Sequence, residues 1–248
     1  MSKVDAYRAK LRTLAEWDAF LLQESGLPGP RGNIELARAV AEEGDEALLE
    51  RYRAFDAETA PTNSPYEFLA FCGVLGLGKR LARGEGEVLP ELRRYASDAR
   101  WRIREAVAMA LQRLGAVDMD GLLQEMEPWS QGSFLEQRAA VAALCEPSQL
   151  RERSQVERVL DLLDRVTASV QEAEDRRNEE FRVLRKGLGY CWSVAVAAHP
   201  EAGKQRMERW LGTEDRDVLW VMKENLRKKR LARMDAEWVA AARQQLGS

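Results

Sequence analysis

The strongest constraint on the fold is a segment that nearly repeats itself. Tyr95 and Val107 are matched 34 positions later by Trp129 and Val141, and a looser third copy begins at Arg209. A period of that length is typical of helix pairs, which bury their apolar faces against neighbouring pairs. The chain is also rich in Ala, Leu, Glu and Arg, which favour helix over strand. The repeats therefore predict an all-α chain built as an α-solenoid.

The turn inside each copy has a recognisable pattern. A short turn containing Asp98 precedes a helix that opens on an apolar and a basic residue, Trp101 and Arg102. This pattern resembles HEAT repeats, and the resemblance implies a right-handed α-solenoid of HEAT-like helix pairs with capping helices and a concave binding surface. We expect a single domain over residues 1–248, with the clearest repeats at 88–115, 118–147 and 201–233. The inner helices of the concave surface are expected to begin near Pro65, Arg100, Phe134, Asn178 and Arg216.

Glycine and proline residues mark the predicted helix boundaries. A first helix over residues 3–24 is expected to cap the stack and to end at the Gly- and Pro-rich segment 25–32. Asn33 is a candidate N-cap for the next helix, and Pro65 suits the first turn of a densely apolar, deeply buried helix. We expect Gly115 to end the inner helix of the first clear repeat.

Positive and negative charges nearly balance, with 38 Lys and Arg against 41 Asp and Glu and a net charge of −3. No global field therefore draws the chain toward nucleic acid or membrane, although a local patch still can. Cys72, Cys145 and Cys191 are far apart and set among apolar neighbours, which indicates buried thiols in a reducing compartment. No apolar run reaches membrane-spanning length and no secretion signal is found, so we expect a soluble cytoplasmic protein without a membrane partner.

Signatures of common enzyme sites are weak. The segment from Gly73 to Lys79 has the glycines and the lysine of a phosphate-binding loop, but Arg80 stands where a hydroxyl would hold magnesium, and no strands are predicted. We interpret these glycines as sites where two helices pack closely. His199 is the only histidine, so a supported Ser-His-Asp triad and a His-rich zinc site are both excluded. The sequence predicts no cofactor and no metal, and it leaves catalysis by carboxylates alone open.

An aromatic, a basic and an acidic residue stand at i, i+3 and i+4 in two places. The two sets are Trp101, Arg104 and Glu105, and Trp220, Lys223 and Glu224. Residues at that spacing share one face of a helix. A helical face with those three chemistries resembles the DNA alkylation repeat glycosylases, which are also built from HEAT-like helix pairs.

That resemblance implies catalytic roles, as an alternative to structural ones. Trp101 or Trp220 would stack on a cationic damaged nucleotide. Glu105 or Glu224 would stabilise positive charge on the sugar as the base departs, although the family has an aspartate at this position. Arg227 would bind phosphate. The other interpretation is that the tryptophans belong to the core and that the neighbouring basic and acidic residues form surface ion pairs.

The densest positive charge lies near the C-terminal end of the sequence. On a helix, Lys223, Arg227 and Arg230 align at i, i+4 and i+7. Three further cations stand on the preceding inner helix: Arg182, Arg185 and Lys186. These six residues are nucleic-acid-binding candidates that would line a phosphate-tracking groove on the concave surface. The alternative is that the cations near the C-terminal end complement the helix dipole and cap carbonyl groups.

Two functions follow from these observations. The first is a noncatalytic interaction module that holds a protein or peptide partner on its concave face, since the fold suits binding and no catalytic set is present. The second is a DNA-binding repeat protein, with base excision as a further step, which rests on the basic residues and the Trp-acid pairs. The sequence leaves the choice between them and the oligomeric state open.

Overall fold

The computed structural model describes residues 2–247, and within them it contains fifteen α-helices, one short 3-10 helix and no strand. The predicted all-α class is confirmed. Two compact units are present, residues 1–117 and residues 118–248, and each is described by itself. The single domain over residues 1–248, the right-handed solenoid and the relation to HEAT repeats stay predictions.

The first unit is built around one buried helix. Its helices are α1 (Lys3–Leu11), α2 (Asp18–Glu24), α3 (Ile34–Glu43), α4 (Glu46–Arg53), α5 (Pro65–Leu81), α6 (Leu89–Ala96) and α7 (Trp101–Val117), with a 3-10 helix at Gly86–Val88. Helices α3, α4 and α7 all pack against α5. Every residue of α5 from Glu67 to Gly78 is buried, which confirms the deep burial predicted for this helix.

Glycines on α5 let the neighbouring helices approach closely. A Cβ built on Gly73 would lie 2.7 Å from the backbone nitrogen of Arg53 on α4. One built on Gly78 would lie 2.7 Å from the Cα of Ala110 on α7. The interpretation of these glycines as packing sites is confirmed. The segment with the spacing of a phosphate-binding loop lies inside α5, without the strand and the loop that such a site requires.

The expected first helix over residues 3–24 is wrong, because the chain turns between α1 and α2. The Trp17 indole N–H donates to the carbonyl oxygen of Leu11 at 3.1 Å, at the C-terminal end of α1. Asp18 then opens α2 and accepts hydrogen bonds from Arg51 at 2.6 Å and from the Tyr52 hydroxyl at 2.7 Å. These tertiary contacts hold the turn against the helical preference of the segment.

The predicted loop and caps around it are confirmed. The loop 25–32 separates α2 from α3, and Gly26 within it has a positive φ of 73°. The Asn33 side chain accepts a hydrogen bond from the backbone N–H of Leu36 at 3.1 Å and caps α3. Ser64 caps α5 in the same way, with Pro65 in the first turn, where its missing N–H costs nothing.

The prediction that Gly115 ends the inner helix of the first clear repeat is wrong. Helix α7 continues to Val117, and Gly115 is buried inside it without the positive φ in which glycine normally ends a helix. The break comes at Asp118, whose side chain accepts a hydrogen bond from the backbone N–H of Gly121 at 2.8 Å and caps the next helix. An N-cap therefore separates the two helices.

The second unit is built around a long helix as well. Its helices are α8 (Met119–Trp129), α9 (Phe134–Leu144), α10 (Arg153–Glu172), α11 (Glu179–Ala198), α12 (Pro200–Leu211), α13 (Arg216–Leu226), α14 (Lys229–Met234) and α15 (Ala236–Gln245). Helices α9, α10, α12 and α13 pack against α11. Across both units, helices begin within one residue of all five predicted inner-helix starts.

Buried polar side chains fix the neighbours of α11. Trp192 has no exposed surface, and its indole N–H donates to the Thr167 hydroxyl on α10 at 3.0 Å. Asn225 on α13 is equally buried; it accepts from the backbone N–H of Ser193 at 2.8 Å and donates to the Leu188 carbonyl oxygen at 2.8 Å. Because buried polar groups are costly unless they are hydrogen-bonded, these contacts specify how α13 lies along α11.

The three cysteine thiols are free and buried, as predicted. Burial raises the pKa of the Cys72 thiol well above its ordinary value, and it does the same for Cys145. Both thiols are therefore protonated at neutral pH and are poor nucleophiles. Within residues 2–247, no helix combines the length and the apolar character needed to cross a membrane.

Candidate functional site

Helices α11 and α13 form the walls of a basic groove in the second unit. Its lining includes the predicted residues Arg182, Arg185 and Lys186 on α11, and it has a volume of about 480 Å³. Four further side chains line the groove: Tyr190, Trp220, Glu224 and Lys228. The sequence analysis assigned Trp220 and Glu224 to the Trp-acid set, and it did not single out Tyr190 or Lys228. We call all of these lining residues, with Gly189 at the floor, the basic groove.

Arg185 is held at two points inside the groove. The central carbon of its guanidinium lies 4.4 Å from the centre of the Trp220 ring. The same guanidinium forms an ion pair with Asp217, a residue that is 5% exposed. Gly189 makes room for the indole, since a Cβ built there would lie 3.3 Å from Cζ3 of Trp220. The position of one cation is therefore set before any ligand arrives.

Other cations around Arg185 face water. Arg182 and Lys186 are exposed, one on each side of it along α11. Lys228, just after the C-terminal end of α13, lies with one-third of its side chain exposed. Arg230 reaches the groove edge, where it donates to the Tyr190 hydroxyl at 2.5 Å and lies over the ring, with its central carbon 4.6 Å from the ring centre.

A second basic pocket adjoins the groove near the start of α13. It is lined by Arg182, Arg185 and Trp220 together with three arginines absent from the predicted set: Arg176, Arg177 and Arg216. Arg176 pairs with Asp215 at 2.7 Å, which raises the pKa of its guanidinium, and with Asp217 at 3.1 Å. The sequence analysis did not single out these three arginines as candidate site residues, and the aspartates at the start of α13 were the available signal that arginines would collect there.

The remaining predicted cations lie outside the groove lining. Lys223 lies on α13, partly buried, and Arg227 is exposed at the end of that helix. Arg227 forms an ion pair with Glu224, and Lys228 approaches the other carboxylate oxygen of Glu224 at 4.0 Å. The acid proposed as a catalytic group is thus engaged by two cations.

The other Trp-acid set lies in the first unit. Trp101 opens α7 with 47% of its surface exposed, and Glu105 lines a pocket with it. Arg104 does not share that exposed face: it is buried and donates to the carbonyl oxygens of Asp98 at 2.6 Å and Ala99 at 3.0 Å. Arg104 therefore stabilises the turn before its own helix.

The two tryptophans also have different surroundings. Trp101 is largely open to water, whereas Trp220 is partly buried between α13 and α11. In the third copy of the repeat, where Asp215 matches Asp98, Val218 stands opposite Trp101, and Val218 has no exposed surface. The repeated spacing therefore does not produce the same arrangement twice.

Groups suited to other chemistry are scarce in residues 2–247. No cluster of three or more His, Cys, Asp and Glu side chains that could hold a metal ion is present among them. His199 is buried after the last residue of α11, with its Nε2 atom 3.4 Å from Glu157. The chemistry that the groove offers is charge pairing and hydrogen bonding by guanidinium and ammonium groups.

Comparison with known proteins adds no family: no family model matches the chain, and no match is found among the curated proteins or the solved structures.

Proposed function

We propose that this protein is a noncatalytic interaction module, and that its basic groove binds an acidic segment of a protein or peptide partner. One observation carries the proposal: Arg185 is fixed between the Trp220 ring and Asp217, with the exposed cations Arg182 and Lys186 beside it. A guanidinium already held in place loses little conformational entropy when it binds a carboxylate through two parallel hydrogen bonds.

The contacts of Trp220 and Glu224 support binding rather than catalysis. A tryptophan that stacks on a nucleotide base needs an open ring face, but the Trp220 ring is occupied by Arg185 and packs against Gly189. A carboxylate that stabilises a developing cation acts best without competing partners, and Glu224 is paired with Arg227. Both side chains already serve to position cations.

The charges of the groove favour a short acidic ligand over a long polyanion. Asp217 and Glu224 lie among the cations, so the local positive charge is partly neutralised. The chain as a whole carries a net charge of −3, which opposes association with a polyanion at long range. A peptide with a few carboxylates needs only the exposed cations on one stretch of α11.

DNA binding is the second candidate, and one observation favours it. The cations continue beyond the groove along the ends of α13 and α14, where Arg227, Lys229 and Arg233 are exposed. Side chains spaced in this way could contact successive phosphates. The predicted base-excision step would then need Glu105 or Glu224 as the acid.

The experiment that separates these functions is fluorescence anisotropy with two labelled probes. One probe is a short peptide of alternating glutamate and alanine, and the other is a duplex DNA. Each is titrated with the full-length protein at about 50 mM and about 200 mM salt. The double variant Arg182→Glu/Lys186→Glu removes the exposed groove cations. The matched control, Arg153→Glu/Arg209→Glu, makes the same change in charge at residues that do not line the groove.

We expect the acidic peptide to bind the wild-type protein, and the groove variant to lose about tenfold or more in affinity while the control keeps it. Tighter binding of DNA than of the peptide, with a loss of about a thousandfold between the two salt concentrations, would favour the second candidate. Release of a base from alkylated DNA that stops in Glu105→Gln or Glu224→Gln would establish catalysis. Binding of neither probe at low salt would overturn both candidates.

A further inference from the structure

A small pocket in the first unit lies beside the exposed Trp101. Its walls are apolar, formed by Ile34 on α3, Phe68 and Phe71 on α5, and the Trp101 ring on α7. The volume of the pocket is about 40 Å³, which is room for about three water molecules. The branched end of one aliphatic side chain is enough to fill a space of that size.

Arg102 and Glu105 form the polar part of this pocket. The Arg102 side chain is 6% exposed and forms an ion pair with the fully buried Glu67 at 3.0 Å. It also donates to the carbonyl oxygen of Gly29 at 2.8 Å, which ties the loop 25–32 to α7. The central carbon of its guanidinium lies 4.4 Å from the centre of the Trp101 ring. Arg102 is therefore held firmly on three sides.

One donor of Arg102 is left without an acceptor. Its Nε atom is buried and makes no hydrogen bond in the structure, although the terminal nitrogens of the same guanidinium are both bonded. A buried donor without a partner is unfavourable and rare in folded proteins. A ligand that brings a carbonyl oxygen to this atom would therefore gain affinity.

We propose that this pocket binds one aliphatic side chain of a protein partner, with a carbonyl oxygen of the same peptide segment accepting from Arg102 Nε. A peptide offers both groups a few bonds apart, and the pocket presents an apolar space beside an unsatisfied donor. An exposed tryptophan at the rim of a small apolar pocket is also typical of residues that dominate binding energy at protein interfaces. This site belongs to the first unit and does not depend on the basic groove.

The site is tested by two-dimensional NMR of the ¹⁵N-labelled full-length protein. The probe is N-acetyl-leucine methylamide, which carries an aliphatic side chain between two carbonyl groups. The matched probes are N-acetyl-alanine methylamide, which lacks the branched end, and 3-methyladenine, which represents a damaged base. The signals to follow are the backbone amides of Gly32 and Ile34 and the indole N–H of Trp101, assigned with Trp101→Phe.

We expect the leucine probe to shift these signals with a dissociation constant in the millimolar range, and the alanine probe to bind at least about tenfold more weakly. Trp101→Ala should lower the affinity for the leucine probe by about tenfold, as read from the amide signals. Tyr66→Ala should leave its affinity unchanged, because Tyr66 is an aromatic residue of the same unit with similar exposure, 45%, that does not line the pocket.

Three outcomes would overturn the proposal. The first is equal shifts with the leucine and alanine probes, or no shifts with either. The second is stronger binding of 3-methyladenine at the same amides, which would make the pocket a base site. The third is concentration-dependent self-association of the wild-type protein that Trp101→Ala abolishes, because the occupant would then be a second copy of the chain.

Discussion

The guanidinium of Arg185 lies 4.4 Å from the ring centre of Trp220 and pairs with Asp217, which lies about one turn before Trp220 at the start of α13. The aromatic ring and the carboxylate both belong to α13, whereas the cation belongs to α11. The packing of these two helices thus creates the groove and fixes its central cation at the same time. Asn225, hydrogen-bonded to α11, holds the helices in that register.

Replacing Trp220 by leucine should weaken binding of the acidic peptide without unfolding the protein. A cation–π contact at such a site contributes about 0.5–1 kcal/mol, so we expect a loss of about two- to fivefold, because Asp217 still holds the arginine. The measurement is anisotropy of the labelled peptide at low salt. Trp238→Leu is the matched control, since Lys204 lies over that ring at 5.6 Å outside the groove. Equal losses in both variants would contradict a specific role for Trp220.

Much of the helical fold could be predicted from local signals. Asn33 and Pro65 act through neighbouring residues in the sequence, so their effect on helix starts is visible in the sequence itself. The break at residues 12–17 could not be predicted, because it depends on side-chain contacts: Trp17 bonds back to Leu11, and Asp18 bonds to Arg51, 33 residues away in the sequence. The helix end predicted at Gly115 was wrong for another reason. In the sequence, a glycine that is buried inside a helix looks the same as a glycine that ends one.

The candidate site could be predicted only in part. Arg182, Arg185 and Lys186 share one stretch of α11, so helical spacing places them together. Spacing alone does not show which cations are already paired. It placed Arg104 beside Trp101 on one exposed face, whereas the Arg104 side chain turns back to the carbonyl groups before α7. Pairing depends on rotamers and tertiary neighbours, which periodicity does not encode.

Removing the Asn225 side chain should destabilise the second unit. The amide has no exposed surface and makes three hydrogen bonds, one from the Ser193 N–H and two to carbonyl oxygens. Asn225→Ala leaves buried partners unsatisfied, so we expect the free energy of unfolding to fall by about 2–4 kcal/mol. Urea denaturation followed by circular dichroism measures the change. Gln244→Ala, at an exposed amide on α15, should change it by less than about 0.5 kcal/mol.

Adding one methyl group to Gly78 should destabilise the first unit. The new Cβ would lie 2.7 Å from the Cα and 2.8 Å from the carbonyl oxygen of Ala110, and a backbone neighbour cannot move aside without shifting α7. We expect Gly78→Ala to lower the free energy of unfolding by about 1–3 kcal/mol. Gly86→Ala is the control, because among the described residues no atom beyond the neighbours of Gly86 in the chain lies within 4 Å of the new Cβ. Thermal denaturation that shows equal effects would contradict close packing as the reason for Gly78.

The first unit should become less stable at low pH, because one carboxylate that joins α1 to α3 becomes protonated there. Glu43 accepts hydrogen bonds from Arg12 at 2.6 and 2.7 Å and from Arg8 at 2.6 Å. The hydrogen bonds from Arg12 are the largest cause that lowers the pKa of Glu43 from 4.5 to about 2. Because the folded-state pKa is the lower one, the ion pair contributes fully above about pH 4.5, and its contribution disappears as the pH falls through about 2.

Substituting Glu43 by glutamine should remove this contribution at neutral pH and flatten the acid dependence. Both arginines are substantially exposed to solvent, which screens the pair, so we expect a loss of about 1 kcal/mol at pH 7. Urea denaturation of the wild-type protein and of Glu43→Gln at pH 7, 4 and 3 should give unfolding free energies that converge as the pH falls. Glu35→Gln, at an exposed position on α3, controls for the loss of one charge. A difference between wild type and Glu43→Gln that stays constant from pH 7 to 3 would show that protonation of Glu43 is not the cause.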